Sequence, residues 1–450
     1  MEQTIVIVGG DAAGMSAASK IRREHPQRPI IVLERGRHTS YAACGMPYYI
    51  GGLITDPDQL IARTPDQFRD KYQIDVRIRH EAIRLNPPEK QVLVRNLDSG
   101  EENWLNYGDL LLATGACPFC PDVEGVDAEG IFGLSTLESG LQVHDYLQRQ
   151  HPKTAVVVGG GYIGLEMAEA LIRQGLEVSL VQRQEQVMAT LDADMGALVS
   201  EALRHIGVQL YLSEEFSHFS VEHNRVNGVV TNNRTLPADM VVLGMGVRPN
   251  SQLAADAGLT LSHKQAIWVD QKMQTSEKHI WAAGDCAVST HLLTGQPVNI
   301  ALGTIANKQG VVAGTNIAGG DACFPGVVGT AVSKICAVEV ARTGLQEKDL
   351  RQLGIDYAVT TIKSRTRAGY YPDSGTIHVK MLGEKGTKKL LGAQIVGFEG
   401  AAKRIDILAT ALTAGMTIDN IIDLDLSYAP PFSPVWDPVQ TAARQLTKAL

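Results

Sequence analysis

Two glycine-rich segments of the same design constrain the fold of this chain more than any other feature. Residues 5–14 read IVIVGGDAAG and residues 156–164 read VVVGGGYIG. Each combines an apolar strand, a tight glycine turn and the start of a helix, the arrangement that holds a pyrophosphate on a helix N-terminus. Two copies predict two dinucleotide sites in one chain.

In each copy of the glycine-rich motif, the next predicted strand ends in a residue that can hydrogen-bond to a ribose. Glu34 lies 20 residues after Gly14, where a carboxylate accepts hydrogen bonds from adenosine ribose hydroxyls. Gln182 takes the matching position in the second copy, and Arg183 follows it. Because glutamine lacks the charge that repels a 2′-phosphate, this site is compatible with NADPH, and both NADPH and NADH stay open.

The remaining pattern predicts an α/β protein with two Rossmann-like three-layer domains and a C-terminal α+β domain. Apolar strands that end in small-residue turns complete the two nucleotide domains, and they are expected at residues 107–115, 238–246 and 279–285. In the last part, alternating strands precede a helical pattern at residues 399–414. Those strands are expected at residues 331–342, 357–364, 376–382 and 390–396.

The overall composition excludes several classes of protein. The chain has 450 residues, a net charge of −8 and a pI of about 5.9, which argues against binding to nucleic acid or an anionic membrane. No stretch is apolar over the length that a bilayer requires. The six cysteines are too irregularly spaced for a disulfide framework, and no signal peptide is visible. We therefore expect a cytoplasmic protein.

Cys117 and Cys120 have the spacing of a redox pair or of half a zinc site. No second pair of cysteines or histidines at ligand spacing accompanies them, and they lie in a loop between prolines. We interpret them as loop variation, and we expect no metal site.

Taken together, these motifs resemble the FAD- and NAD(P)H-dependent pyridine nucleotide–disulfide oxidoreductases, and within them the single-cysteine branch. That branch holds coenzyme A (CoA) disulfide reductases, CoA-persulfide and polysulfide reductases, and NADH oxidases and peroxidases. The similarity runs from Thr4 to about Arg444 and includes LGTIANKQG at residues 302–310 and YAPP at residues 428–431.

The resemblance implies FAD at the first glycine turn, NAD(P)H at the second, and a homodimer formed by the last domain. The implied domains are residues 1–115 with 249–325 for FAD, 116–248 for NAD(P)H and 326–450 for dimerisation. Asp285 would touch the ribityl–pyrophosphate region of FAD, and Tyr162 would shield the flavin. The residues expected to hold the two cofactors are Gly9, Gly10, Ala13, Gly14, Glu34, Arg35, Ser40, Ala113, Thr114, Gly115, Gly159, Gly161, Tyr162, Ile163, Gly164, Glu166, Gln182, Gly246, Gly284, Asp285, Gly303 and Thr304.

Cys44 is the expected catalytic residue. Dithiol members of the wider family place a second cysteine a few residues on, but here Pro47 and Tyr49 follow. Cys44 must then pair with a small thiol, a sulfenic oxygen or a persulfide sulfur. The sequence after it can begin a helix, whose N-terminus would favour the thiolate.

Residues from the last domain are implied to complete the catalytic site. In the CoA reductases, two tyrosines at the positions of Tyr370 and Tyr428 reach into the active site of the other subunit. Arg22, Arg23 and Lys308 are candidate cations for CoA phosphates, although the two arginines are equally typical of a solvated helix face.

The expected function is reduction of CoA disulfide or a CoA-linked persulfide or polysulfide through a Cys44 mixed disulfide, with CoA as substrate or bound thiol. One alternative is an NAD(P)H oxidase or peroxidase that uses a Cys44 sulfenic acid. Ala12 stands where those enzymes carry a histidine, which disfavours this alternative, whereas Ala43 departs from the asparagine common in CoA disulfide reductases. Another alternative is a flavoprotein redox sensor without turnover. Asp11, in place of the second fingerprint glycine, raises the question of whether a side chain crowds the pyrophosphate.

Overall fold

The computed structural model describes residues 3–450. Its strands are β1 Ile5–Val8, β2 Ile30–Glu34, β3 Asp75–Ile78, β4 His80–Asn86, β5 Gln91–Asn96, β6 Glu102–Asn106, β7 Asp109–Leu112, β8 Ala116–Pro118, β9 Ile131–Gly133, β10 Thr154–Val158, β11 Glu177–Gln182, β12 Gln209–Leu212, β13 Phe216–Glu222, β14 Arg225–Thr231, β15 Thr235–Pro237, β16 Met240–Leu243, β17 Val247–Pro249, β18 Ile280–Ala282, β19 Ser289–Thr290, β20 Pro297–Val298, β21 Ala331–Ile335, β22 Val338–Gly344, β23 Tyr357–Arg365, β24 Thr376–Glu384 and β25 Leu390–Gly397. Its α-helices are α1 Ala12–Glu24, α2 Met46–Ile50, α3 Pro65–Tyr72, α4 Leu137–Gln150, α5 Tyr162–Arg173, α6 Ala193–His205, α7 Gln252–Asp256, α8 Gly303–Ile317, α9 Glu347–Leu353, α10 Ile405–Thr413, α11 Ile418–Ile422 and α12 Pro438–Leu446. Short 3₁₀ helices cover Ala43–Gly45, Pro57–Leu60 and Ala402–Arg404.

Both predicted nucleotide folds are present as parallel five-stranded sheets. The first has the order β18-β7-β1-β2-β3 and the second has the order β12-β11-β10-β16-β9. The buried β1 and β10 occupy the centres of these sheets, as expected for apolar strands covered on both faces. The first sheet draws β18 from a distant part of the chain, so it is discontinuous in sequence.

The chain passes between the two sheets through a pair of adjacent strands. β8 leads out of the first sheet, β17 leads back, and the two pair antiparallel with Cys117 opposite Arg248. The domain boundaries at residues 115, 248 and 325 stay predictions, although this crossover lies beside the first two.

The C-terminal part is an antiparallel sheet with the order β21-β22-β25-β24-β23. It confirms the predicted α+β unit and corrects two of its elements. The expected strand at 331–342 is a hairpin, because the chain turns at Cys336 with a positive φ of 58°. The expected helix at 399–414 is a 3₁₀ turn followed by the shorter α10.

Small residues let α1 and α8 pack at very short range. A Cβ on Gly310 would lie 2.2 Å from the Ala13 carbonyl oxygen, and one on Gly314 would lie 2.8 Å from that of Ala17. Because α8 carries Gly303 and Thr304 at its start, this contact fixes them relative to the first glycine turn. No helix within residues 3–450 is long and apolar enough to cross a membrane.

Candidate active site

The first glycine turn has no room for side chains at its central positions. Gly9 has a φ of +112°, and a Cβ there would lie 2.0 Å from the Ala113 carbonyl oxygen. A Cβ on Gly14 would lie 1.9 Å from the Gly9 oxygen. By contrast, Gly115 and Gly303 border open space, with no atom within 4 Å of a Cβ position. A close-packed glycine turn at the start of α1, with open space beside it, can accommodate the pyrophosphate of a dinucleotide at the helix N-terminus.

Glu34 organises the same turn through its carboxylate. It accepts hydrogen bonds from the Gly10 N–H at 2.8 Å and from the Gly36 N–H at 2.6 Å. Burial raises the pKa of Glu34. The carboxylate oxygens keep further lone pairs, so the predicted ribose contact is compatible with this geometry. Nearby, the Ser40 N–H donates to the Gly10 carbonyl at 3.1 Å, whereas the Arg35 side chain is exposed.

Asp11 turns toward the segment that precedes Cys44. Its carboxylate accepts a hydrogen bond from the Tyr41 N–H at 3.2 Å. Burial raises the pKa of Asp11 to about 6, and the charges of Glu34 and Asp285 raise it further. The side chain therefore links the glycine turn to the cysteine loop, and it is held where a negative charge is disfavoured.

Asp11→Asn is expected to tighten FAD binding at pH 8 and to leave it unchanged at pH 5. A raised folded-state pKa means that this group favours the folded state at low pH and that the benefit is lost as pH rises through about 6. The FAD pyrophosphate adds negative charge, so ionised Asp11 opposes it, and one pKa unit of coupling is about tenfold in affinity. FAD titration of the apoprotein at both pH values measures this, with the exposed Glu89→Gln as control. An equal effect at both pH values would contradict it.

Asp285 follows a turn that α8 holds in place. Gly284 has a φ of +84°, and its N–H donates to the buried Gln309 side chain at 2.8 Å. Gln309 also donates to the Ser289 hydroxyl at 2.9 Å. Burial raises the pKa of Asp285 to about 6. The sequence prediction missed Gln309, which is fully buried in α8 and whose amide is satisfied by these contacts.

The small-residue turn after β7 is tied to the returning chain. The Thr114 hydroxyl donates to the Asn250 carbonyl at 2.5 Å, and the Asn250 amide donates to the Thr114 carbonyl at 2.9 Å. The Asn250 N–H also donates to the Gly115 carbonyl at 2.9 Å. Asn250, which the sequence prediction missed, therefore sets the conformation of the predicted cofactor residues 113–115.

The second glycine turn repeats the construction of the first. A Cβ on Gly159 would lie 2.4 Å from the Gly244 oxygen, and one on Gly164 would lie 2.1 Å from the Gly159 oxygen. Gly161 caps α5, and Gly246 borders open space with a φ of +100°. These residues, together with Ile163 in the first turn of α5, fit a second dinucleotide.

Two further residues of this unit have informative surroundings. The Tyr162 hydroxyl is buried without a hydrogen-bond partner in residues 3–450, which fits a side chain that meets a ligand. Gln182 is buried at the end of β11, and its amide lies 3.5 Å from the Gln186 carbonyl. This contact is too long to saturate the amide, so the predicted ribose contact remains available to it.

Cys44 lies in the 3₁₀ turn before α2, and it is exposed. Packing of α2 against α4 fixes the turn, since the Tyr49 ring stacks on His144 at 4.6 Å and Met46 lies against Gly140. All six cysteines within residues 3–450 are unpaired.

A helix begins just after Cys44, as predicted, but its effect on the Cys44 thiolate stays a prediction, since other groups raise the pKa of this thiol in the protein alone. Although the residue is exposed, partial desolvation of its sulfur raises the pKa of this thiol, and the charges of Glu166 and Asp285 raise it further. The helix after it has only five residues and begins at Met46, so its dipole is weak at the sulfur. Glu166 is itself fixed by the Ser333 hydroxyl of β21, which donates to it at 2.7 Å.

Tyr370 and Tyr428 lie together on the surface of the C-terminal unit. The neighbouring Tyr370 phenol raises the pKa of Tyr428. Tyr370 is 77% exposed and Tyr428 is 46% exposed in the single chain. Large apolar neighbours in sequence share this exposure, namely Phe432, Val435 and Trp436.

Arg404 joins the two loops that carry these tyrosines. Its guanidinium donates to the Thr366 carbonyl at 2.8 Å and to the Phe432 carbonyl at 2.7 Å. The buried charge is balanced by Asp437 at 2.9 Å. The sequence prediction missed Arg404, which holds together the two loops that carry Tyr370 and Tyr428.

The structure corrects one of the three cations predicted for CoA phosphates. The Arg22 guanidinium donates to the carbonyls of Pro26 at 2.6 Å and Gln73 at 2.7 Å, so it closes the end of α1 instead of facing a ligand. Arg23 and Lys308 are exposed. Since Ala13 lies level with Gly310, these two are separated by about 18 Å along the parallel helices.

The geometry around Cys117 and Cys120 supports the interpretation as loop variation. β8 is extended, and the Phe119 N–H continues the pairing by donating to the Gly246 carbonyl at 2.8 Å. Cys120 lies two residues beyond the end of β8, and both cysteines are unpaired.

The structure combines two dinucleotide folds, an exposed thiol at Cys44 and a C-terminal sheet with an exposed aromatic surface. Together they define an oxidoreductase that couples two nucleotides to sulfur chemistry. Residues 3–310 match the family model "Pyridine nucleotide-disulphide oxidoreductase", and residues 330–438 match the model of its dimerisation domain. The chain belongs to this family, whose members use FAD and NAD(P)H.

Individual relatives match over nearly the whole chain. An NAD(P)H coenzyme A polysulfide/persulfide reductase of Pyrococcus horikoshii is 39% identical over 448 residues, 99% of each chain. An NADH oxidase of Methanocaldococcus jannaschii is 37% identical over 447 residues, again 99% of each chain. The solved structure of an NAD-dependent persulfide reductase from A. fulgidus has a TM-score of 0.96 at 41% identity and covers 99% of this chain and 83% of that one.

Proposed function

We propose that this chain is an FAD-dependent NAD(P)H reductase of CoA disulfide or of CoA-linked persulfide or polysulfide. The observation that carries the proposal is Cys44, an exposed thiol with no second cysteine in its loop, beside the carboxylates of Glu166, Asp285 and Asp11. Such a thiol takes its sulfur partner from outside the chain. The reductases to which the chain is similar act on CoA-linked or persulfide sulfur.

The residues of the chain divide the work. The first glycine turn with Glu34 and Asp285 holds FAD, and the second turn with Gln182 holds NAD(P)H. When bound, FAD carries two electrons from NAD(P)H to a sulfur–sulfur bond. The Cys44 thiolate attacks one sulfur of the substrate, so a mixed disulfide forms on Cys44 and a thiolate leaves. Two-electron reduction of that mixed disulfide restores the Cys44 thiolate and releases the second thiol.

We further propose that the active site is shared across a homodimer. The match to the family's dimerisation domain and the exposed aromatic surface around Tyr428 and Phe432 support this assembly. Tyr370 and Tyr428 of one copy then face the Cys44 pocket of the other and donate hydrogen bonds to a thiolate. The domain boundaries given above are part of the same proposal. A reducing cytoplasm is the compartment in which six unpaired cysteines persist.

An oxidase function is the second candidate, because an NADH oxidase is among the relatives. Ala12 gives no proton donor beside the cysteine, which favours the reductase. The two are separated by anaerobic turnover of NAD(P)H with CoA disulfide and with CoA persulfide. We expect two thiols for each NAD(P)H oxidised with the disulfide. Oxidation of NAD(P)H that requires oxygen and yields no thiol would contradict the proposal.

Gln182→Glu is expected to shift nucleotide preference toward NADH. The new carboxylate accepts from a ribose hydroxyl and repels a 2′-phosphate, and 1.4 kcal/mol or more of repulsion is roughly tenfold or more in the ratio. The measurement is kcat/KM for NADPH and for NADH in both proteins. An unchanged ratio would show that Gln182 does not face the ribose.

A further inference from the structure

The loop that leaves β11 runs from the second nucleotide site to the dimerisation domain. This β11–α6 loop, residues 183–192, begins next to Gln182 and ends at Asp192, which precedes α6. Its middle lies on the second glycine turn, because the Met188 N–H donates to the Gly160 carbonyl at 2.8 Å. Met188 has a positive φ of 54°, a conformation that persists only where the surroundings impose it.

The dimerisation domain supplies those surroundings at the far end of the loop. The Asp192 N–H donates to the Gln394 side-chain oxygen at 2.8 Å, and the Gln394 amide donates back to the Asp192 carboxylate at 2.8 Å. The Glu347 N–H donates to the same carboxylate at 3.1 Å. Three residues before Asp192 in the same loop, the Ala189 carbonyl accepts a hydrogen bond from the Lys348 ammonium at 2.7 Å.

Lys380 balances the charge of this contact. It is only 3% exposed and lies 2.7 Å from Asp194, 2.7 Å from Glu347 and 3.2 Å from Asp192. Burial alone would lower the pKa of Lys380, but Asp194 and Glu347 raise it. The side chain therefore stays charged. Without this cation, three carboxylates would repel one another in a poorly hydrated place.

We infer that Lys380 is a positioning residue for NAD(P)H: by holding Asp192 it lets the dimerisation domain fix the β11–α6 loop in the form that receives the adenosine end of the nucleotide. The inference rests on the proposed function only in placing NAD(P)H at the second glycine turn. Neither the disulfide substrate nor Cys44 enters into it. Lys380 itself touches no reacting atom and acts through the loop.

The test uses FAD-loaded enzyme and the fragment adenosine 2′,5′-bisphosphate, whose binding is measured by calorimetry. Lys380→Met keeps the side-chain length and removes the charge. We expect its Kd for the fragment and its KM for NADPH to rise about tenfold, within the usual range of coupling between sites. The saturating kcat and the KM for the disulfide should stay within about twofold of the wild-type values, and Lys380→Arg should recover part of the affinity.

Two further variants keep the test decisive. Lys388→Met removes a half-exposed lysine that pairs with Asp419 at 3.1 Å inside the dimerisation domain, and it should change neither constant. Lys348→Met removes the exposed lysine that donates to the Ala189 carbonyl. It should weaken binding of the fragment in the same direction, and it serves as the test if Lys380→Met does not fold.

Unchanged fragment binding in every folded variant at Lys380 and Lys348 would overturn the inference. If the wild type reduces no disulfide yet binds the fragment, the proposed function fails and the inference stands. If the wild type binds neither this fragment nor ADP-ribose, which lacks the 2′-phosphate, both fail.

Discussion

Replacing Cys44 with serine is expected to abolish disulfide reduction while FAD binding and flavin reduction by NAD(P)H continue. The two glycine turns that hold the nucleotides do not include Cys44, so both cofactors should bind as before. A hydroxyl cannot replace sulfur in thiol–disulfide exchange, and loss of a covalent nucleophile lowers turnover by about 10⁴-fold or more. Anaerobic titration with NAD(P)H follows the flavin, and turnover with CoA disulfide follows the thiol product.

The matched control for this change is Cys323→Ser. Cys323 is also an exposed, unpaired cysteine, but it belongs to the loop after α8 and should leave both half-reactions unaltered. The mass of an adduct on Cys44 after incubation with CoA disulfide gives an independent reading. Substantial disulfide turnover by Cys44→Ser would remove Cys44 from the mechanism. If the wild type oxidises NAD(P)H with oxygen alone and Cys44→Ser loses that turnover, the oxidase is favoured, because that alternative also uses Cys44.

The two nucleotide folds could be predicted because their signal is local. At Gly9 and Gly14 an added Cβ would collide with backbone within a few residues or across one strand, so the sequence must carry glycine there. Glu34 lies one strand away from the same turn and bonds to it directly. The order of β1, α1 and β2 therefore follows from short-range steric requirements that any reader of the sequence can apply.

The parts that sequence reasoning missed depend on contacts between distant stretches. Arg22 resembles a surface cation, but Gln73, 51 residues away, supplies a carbonyl that occupies it. The pKa of Cys44 is raised by partial desolvation and by carboxylates from α5 and from the turn after β18. A local argument about a helix dipole cannot include these groups.

One signal in the sequence was available and unused. Lys380 and Gln394 lie within the buried stretches of β24 and β25, and both are nearly inaccessible to solvent. A charged or amide side chain in such a strand needs a partner, and here the partner is the loop of the nucleotide domain. Polar residues inside buried strands therefore mark where one domain holds another.

Tyr428→Phe is expected to slow the disulfide half-reaction and to leave flavin reduction by NAD(P)H nearly unchanged. The phenol is influenced by that of Tyr370 and is exposed in the single chain, so the proposed dimer places it beside a leaving thiolate. Loss of a general acid costs about 10²–10⁴-fold, and we expect the low end because a thiolate leaves readily. Stopped-flow measurement of each half-reaction checks this. The control is Tyr371→Phe, which removes the phenol that follows Tyr370 in the chain.

The placement of Tyr428 across the dimer has a separate consequence in mixed dimers. Exchange of subunits between Cys44→Ser and Tyr428→Phe proteins forms heterodimers in which Cys44 of one chain meets Tyr428 of the other. One site of each heterodimer is then intact and the other carries both changes, so about half of the wild-type activity per heterodimer should return. If Tyr428 serves its own chain, every site keeps one defect and no activity returns. Native mass measurement confirms the exchange, and confirmed exchange without recovery would contradict a shared site.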